Sequence, residues 1–262
     1  MFATSVPLGW RLAIYCAAGI AAGISNGIAG GGTFLSFPTL LAMGIPTLTA
    51  NVSSTVGVLP SSLGGIRGFR RELVAHKQLV RSLMPTCFVG AIVGAGLLLL
   101  GSTHTFRVVV PWLIGSATVL FALAPRITKR LAKIEHEHED SSGTVRRRTL
   151  FIGIFFASVY GGYFGAGLGI VLLAVMALTL PYEIYVLQGL RSALSMLINA
   201  MAALVFIIRG HLALDAVYML LIGTLIGGWL GTLLIRRVSP SAVRALVIVV
   251  GVGTTIKLAI SA

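Results

Sequence analysis

Asn26-Gly27-Ile28-Ala29-Gly30-Gly31-Gly32-Thr33 lies inside the apolar run from Trp10 to Gly44. A second glycine-rich stretch, Gly161-Gly162-Tyr163-Phe164-Gly165-Ala166-Gly167-Leu168-Gly169, lies inside the run from Leu150 to Leu180. Each run ends at a proline, Pro46 or Pro181, sixteen residues after Gly30 or Gly165. As one helix, the 35 residues from Trp10 to Gly44 would measure about 52 Å, far more than a bilayer core of roughly 30 Å. The glycines therefore break each run inside the membrane. Paired, glycine-interrupted apolar segments in two halves of a chain point to the binding site of a secondary transporter.

The rest of the chain fits that setting. Its 262 residues are 56% hydrophobic and only 10% charged, with a mean hydropathy of +0.98. Soluble domains carry roughly 25% charged residues. The composition predicts a polytopic all-α membrane protein. Arg11 and the apolar residues after it resemble a signal peptide, but the apolar chain resumes at Phe34, so the segment reads as a retained first membrane segment. The net charge of +13 does not indicate nucleic acid. Many basic residues sit in the short loops Arg67–Arg81 and Arg126–Arg148, which the positive-inside rule keeps cytoplasmic. Cys16 and Cys87 sit in or beside apolar runs and read as buried free thiols, and no residue spacing suggests a metal or a cofactor.

The apolar segments fall into two halves of similar order: broken segment, proline, long helix, basic or polar turn, helix, short turn, helix. The first repeat is 1–125, a cytoplasmic connector follows at 126–149, and the second repeat is 150–262. Offsetting the chain by 135 residues places Gly30, Gly32 and Pro46 on Gly165, Gly167 and Pro181. This order suggests an internal duplication, with each half holding a broken segment and three further transmembrane helices. Two topologies stay open. Each broken segment is either a kinked crossing, giving parallel halves, or a re-entrant hairpin, giving inverted halves. Hairpins put Arg11, Arg107, Arg209 and Lys257 outside and keep Arg236-Arg237 inside, which favours them.

A broken helix frees backbone groups that survive in a membrane only when buried in protein or lining a cavity. Half-helix N-termini at about Thr33 and Leu168 would bring partial positive charge to the membrane interior. Four-residue spacing at Gly19, Gly23, Gly27 and Gly31, or at Gly223, Gly227 and Gly231, also suits close helix packing or a homodimer. Consecutive glycines at Gly30, Gly31 and Gly32 point to different faces, and packing explains them poorly. Neither stretch ends in the Gly-Lys-Ser/Thr of a phosphate loop, and neither follows a strand as a dinucleotide fingerprint does.

Polar residues follow each proline: Asn51, Ser53, Ser54 and Thr55, then Ser61 and Ser62, in the first half; Gln188, Arg191, Ser192, Ser195 and Asn199 in the second. The second set shares one helical face. Arg191 lies about ten residues past Pro181, well inside an apolar run, where an arginine is costly and marks function by default. Its alternative roles are snorkelling or capping a broken helix. No Asp or Glu lies in mid-span; Glu183 and Asp215 sit at helix starts. A carboxylate relay or cation site therefore looks disfavoured, and an intramembrane arginine without an acid suits an anion. The expected substrate-binding set is Gly30, Gly31, Gly32, Thr33, Asn51, Ser54, Thr55, Gly165, Gly167, Gln188, Arg191, Ser192 and Ser195.

Gly27-Ile-Ala-Gly-Gly-Gly-Thr-Phe-Leu-Ser-Phe-Pro38, with Met43-Gly-Ile-Pro46 and Ala50-Asn51, resembles the first-repeat signature of the sulfite exporter TauE/SafE family. The second glycine stretch, Pro181 and the helix carrying Arg191 and Asn199 are similar to its second repeat, and Gly227-Gly228-Trp229-Leu230-Gly231 to its late glycine pattern. Gly165-Ala-Gly-Leu-Gly stands where a glycine triplet is usual, and Gln188 with Arg191 where an Asn-x-x-Lys pattern is expected. The resemblance implies a multi-pass protein of the bacterial cytoplasmic membrane, not an enzyme. It would carry a small sulfur-containing anion (sulfite, thiosulfate or an organosulfonate) by alternating access at a midplane site. No ATP-binding motif is present, so the driving force would be a coupling proton or ion, or a partner. The alternatives are a non-transporting membrane adaptor or assembly factor, and a small-anion channel.

Overall fold

The computed structural model describes residues 7–134, 143–234 and 240–261, and all regular structure among them is helical. Both glycine stretches interrupt helices. Helix α1 (Leu8–Ala29) ends at Gly30 (φ +79°), whose N–H bonds back to the Ser25 and Asn26 carbonyls, each at 3.1 Å. Helix α2 (Thr33–Ala42) starts three residues later. Helix α8 (Gly143–Tyr163) likewise stops before Gly165 (φ +77°) and Gly167 (φ +74°), and α9 (Leu168–Thr179) follows. A left-handed residue with a Cβ costs roughly 1–2 kcal/mol, so glycine is what permits both breaks. The two half-helices begin at the expected Thr33 and Leu168.

Between the broken segments lie α3 (Thr47–Gly57), α4 (Ser61–Gly68), α5 (Arg70–Ala75), α6 (Lys77–Leu100) and α7 (Thr103–Ile134). After α9 come α10 (Ile184–Arg209), α11 (Leu214–Leu234) and α12 (Pro240–Ser261). Among the described residues, six helical stretches are long and apolar enough to cross a bilayer: Leu8–Gly27, Lys77–Leu100, Thr103–Leu123, Ile184–Arg209, Leu214–Gly231 and Ala242–Ile260. One expectation changes here. The long helix read over Leu48–Ile66 is split into α3 and α4 around Leu59-Pro60, because proline offers no N–H to continue the ladder. Its counterpart α10 runs unbroken for 26 residues. Helix α7 also runs past 125 into the expected connector. The connector's acidic patch, Glu135 to Asp140, and the Arg236-Arg237 pair lie outside the described residues.

Both broken segments return to the face they came from. Thr179 and Pro181, at the end of α9, line a cavity with Arg146 and Arg147 of α8 and with Leu79 of α6. Tyr182 stacks edge-on against His76, centroids 4.6 Å apart. The α8–α9 pair therefore opens on the face of the basic loops. The first pair opens on the opposite face. Arg11 reaches Asp215 at 3.7 Å, and Pro46 lines one cavity with Arg209 and His211 and another with Arg107 and Lys257. Each broken segment thus turns back as a hairpin, and the two hairpins open on opposite faces.

Packing between the halves is reciprocal. Helix α1 lies along α11 while α8 lies along α6, and α2 meets α12 while α9 meets α7. Small residues allow the closest approaches. A Cβ at Gly23 would stand 2.6 Å from Gly228 N and Thr224 O, and one at Gly90 2.7 Å from the Ser158 side chain. These glycine faces are thus filled within one chain. Short polar residues in the apolar helices bond to their own backbone: Thr39 donates to Leu35 O at 2.7 Å, Ser158 to Ile154 O at 2.6 Å and Thr179 to Val175 O at 2.7 Å. Such bonds remove the cost of a bare hydroxyl in hydrocarbon. Where the hairpin tips pass, aromatic rings fill the core, with Phe34 edge-on to Phe121 and Phe37 to Phe164, both at 5.6 Å.

Candidate functional site

Helix α10 carries Arg191, Ser192 and Ser195 on one face, and all three are buried. Arg191 is only 5% exposed. It points between the two breaks: a Cβ on Gly30 would stand 2.6 Å from Arg191 Nη1, and one on Gly169 3.4 Å from Arg191 Cδ. The same point on Gly169 is 3.2 Å from Gly30 Cα. The backbones of the two hairpins therefore touch beside the guanidinium, and a side chain on either glycine would separate them. Gly65 fits the same pattern, since its Cβ would come within 2.5 Å of Ser192 Oγ.

These groups enclose a polar crevice of about 10 Å³, room for about one water. Asn26, Ser61 and Ser62 complete its wall. Asn26 donates to Ser61 Oγ at 2.7 Å, and Ser61 Oγ donates in turn to the Val58 carbonyl, which also accepts the Ser61 N–H. Ser192 donates to Gln188 O at 2.9 Å. The crevice lies between the C-terminal end of α1 and the first turn of α9, whose helix dipole brings partial positive charge. Arg191 is the fixed charge, since a guanidinium stays protonated. Arg11 pairs with Asp215, and among the described residues no carboxylate lies within 4.0 Å of Arg191.

The expected site residues divide between two places. Gly30, Arg191, Ser192 and Ser195 meet at the crevice. Gly31 and Gly32 do not line it: their missing Cβ positions face Phe121 at 2.7 Å and Ala22 O at 2.7 Å. Thr33 is buried in α2, and Gln188 is half-buried, offering its carbonyl to Ser192. The neutral set sits apart from the crevice: Asn51 reaches the second break, while Ser54 bonds Ser36 of α2 beside the first. Asn51 Nδ2 donates to Tyr163 O at 3.1 Å, Ser54 and Ser36 share a hydroxyl bond of 2.6 Å, and Thr55 donates to Asn51 O at 3.0 Å. Gly165 faces Asn199 and Gly167 faces Phe34. The expected set omitted Asn26, Ser61, Ser62, Gly65 and Gly169. Asn26 stands four residues before Gly30 and so shares its face on α1; that spacing was the available signal. Gly65 carried none.

A family model described as sulfite exporter TauE/SafE matches residues 15–258. The chain belongs to the TauE/SafE family. Among its relatives, a "Probable membrane transporter protein" of Haemophilus influenzae is 21% identical over 250 residues, covering 94% of each chain. The "Probable membrane transporter protein YfcA" of Escherichia coli is 23% identical over 244 residues, covering 90% of this chain and 85% of the relative. A third, "Probable membrane transporter protein ORF9" of a Sinorhizobium species, is 31% identical over 160 residues, covering 60% of this chain and 58% of its own. No solved structure matches. With its apolar helices and bacterial relatives, this TauE/SafE member is a multi-pass integral membrane transporter of the bacterial inner membrane, in contact with lipid and acting on a small solute.

Proposed function

We propose that the chain carries a small sulfur-containing anion, such as sulfite, thiosulfate or an organosulfonate, by alternating access at the crevice between the hairpins. The observation that carries this reading is Arg191: buried, permanently charged and without a carboxylate within 4.0 Å among the described residues. A guanidinium can hold an oxyanion with two parallel hydrogen bonds, and the Ser195 hydroxyl adds a donor beside the positive end of α9. The family description supplies the sulfur; the residues support an oxyanion.

A crevice of about 10 Å³ is too small for a four-atom anion, so this conformation is closed. Gly30 and Gly169 must part for a substrate to enter. Because the hairpins open on opposite faces, rocking one half against the other would expose Arg191 to each side in turn. Purified protein in liposomes should accumulate labelled sulfite or thiosulfate under an imposed gradient. Arg191→Gln should reduce initial uptake at least a hundredfold while the variant still melts cooperatively. Uptake at the native rate by that variant would remove Arg191 from the site. A native protein that moves none of these anions would overturn the proposed substrate class.

A further inference from the structure

We infer that the second break, at the end of α8, is a binding site for a monovalent cation, with Asn51 as its central ligand. The two breaks pose the same electrostatic problem: each leaves a helix C-terminus, with about half a negative charge on its carbonyls, inside the membrane. At α1 that end has a built-in cation, Arg191 Nη1, 2.6 Å from where a Gly30 Cβ would be. At α8 the corresponding place is lined by oxygen. The nearest atoms to a Gly165 Cβ would be Gly161 O at 3.0 Å and Asn199 Oδ1 at 3.7 Å. Two residues before Gly165, Tyr163 O accepts from Asn51 Nδ2 at 3.1 Å. Asn51 itself is wholly buried, and its Oδ1 has no hydrogen-bond partner.

Burying an amide oxygen without a donor is costly, so an Asn held this way calls for an occupant. Carbonyl and amide oxygens at an unwound helix end are ligands for a hard alkali cation. With no carboxylate in the set, the charge supplied is dipolar only, which suits Na⁺ better than a divalent ion. A cation here would leave each break with one positive charge, fixed at α1 and exchangeable at α8. Under the transport reading, the exchangeable one is the coupling ion. Its binding does not depend on that reading.

The test is thermal unfolding of the purified protein in NaCl against choline chloride at equal ionic strength. Native protein should show a saturable rise in melting temperature with Na⁺. Asn199→Ala should raise the half-saturating Na⁺ concentration about tenfold, and Asn51→Ala should abolish the rise. Asn51→Ala also removes the Tyr163 cap and could fail to fold, so Asn51→Asp provides a second arm: the added carboxylate should lower half-saturation about tenfold. Arg191→Gln should keep the Na⁺ response. Identical melting of native protein in both salts would overturn the site, leaving a bound water as the partner of Asn51. So would a Na⁺ response unchanged in both Asn51→Asp and Asn199→Ala. A Na⁺ response in a protein that transports no anion would support the site and count against the transport reading alone.

Discussion

Single residues set the terms at the crevice. Gly30 combines a left-handed backbone (φ +79°) with a guanidinium nitrogen 2.6 Å from its missing Cβ. Gly30→Ala therefore carries backbone strain of about 1–2 kcal/mol and pushes Arg191 aside. Its melting temperature should fall by about 2–8 °C, with uptake lost. Gly253 is the control: a Cβ there meets nothing within 4 Å, so Gly253→Ala should leave melting unchanged or raise it slightly. A thermal melt of both variants beside the native protein decides the matter. At this scale the sequence was informative about conformation and poor about neighbours. Gly30, Gly165 and Gly167 stood out as breaks, and Arg191 as a buried charge. That Gly30 meets Gly169, or that Gly31 backs onto Phe121, depends on how two hairpins cross, and spacing along one segment carries no trace of that.

The breaks and prolines were legible as elements, but one rule misled. Pro46 and Pro181 each precede a helix, as expected, yet Pro60 divides the first of those helices while α10 continues unbroken. The division places Ser61 and Ser62 at the crevice, while Asn51 reaches the other break and Ser54 bonds Ser36 of α2. The small-residue faces were ambiguous in sequence because partner choice is not encoded in their spacing. Gly23 faces the backbone of Thr224 and Gly228 in α11 of the same chain. Backbone cannot retreat, and overpacking of this kind costs about 1–3 kcal/mol. Gly23→Leu should lower the melting temperature and the yield of folded protein, whereas Gly96→Leu, in open space on α6, should not. Equal melting of the two variants would mean that the α1–α11 seam is not tight.

For the whole molecule, the decisive property is that the hairpins open on opposite faces. In a chain with Cys16 and Cys87 replaced by alanine, new cysteines at Gly9 and Pro46 should react with a membrane-impermeant thiol reagent from one side. Cysteines at Arg147 and Glu183 should react from the other side. Labelling of Gly9 and Pro46 positions from different sides would mean that α1 and α2 form a crossing. Charge counting already favoured hairpins, through Arg11, Arg107, Arg209 and Lys257, but the interlock of the halves was invisible, since it concerns which distant helices touch. That interlock also sets a timetable. Gly19 of α1 packs on Gly223 of α11, so α1 waits during synthesis for a partner about 200 residues further along the chain. At about 5–20 residues per second, α1 spends roughly 10–40 seconds in the membrane with its glycine face uncovered. During that interval, lipid or an insertion factor must shield the surface that α11 later occupies.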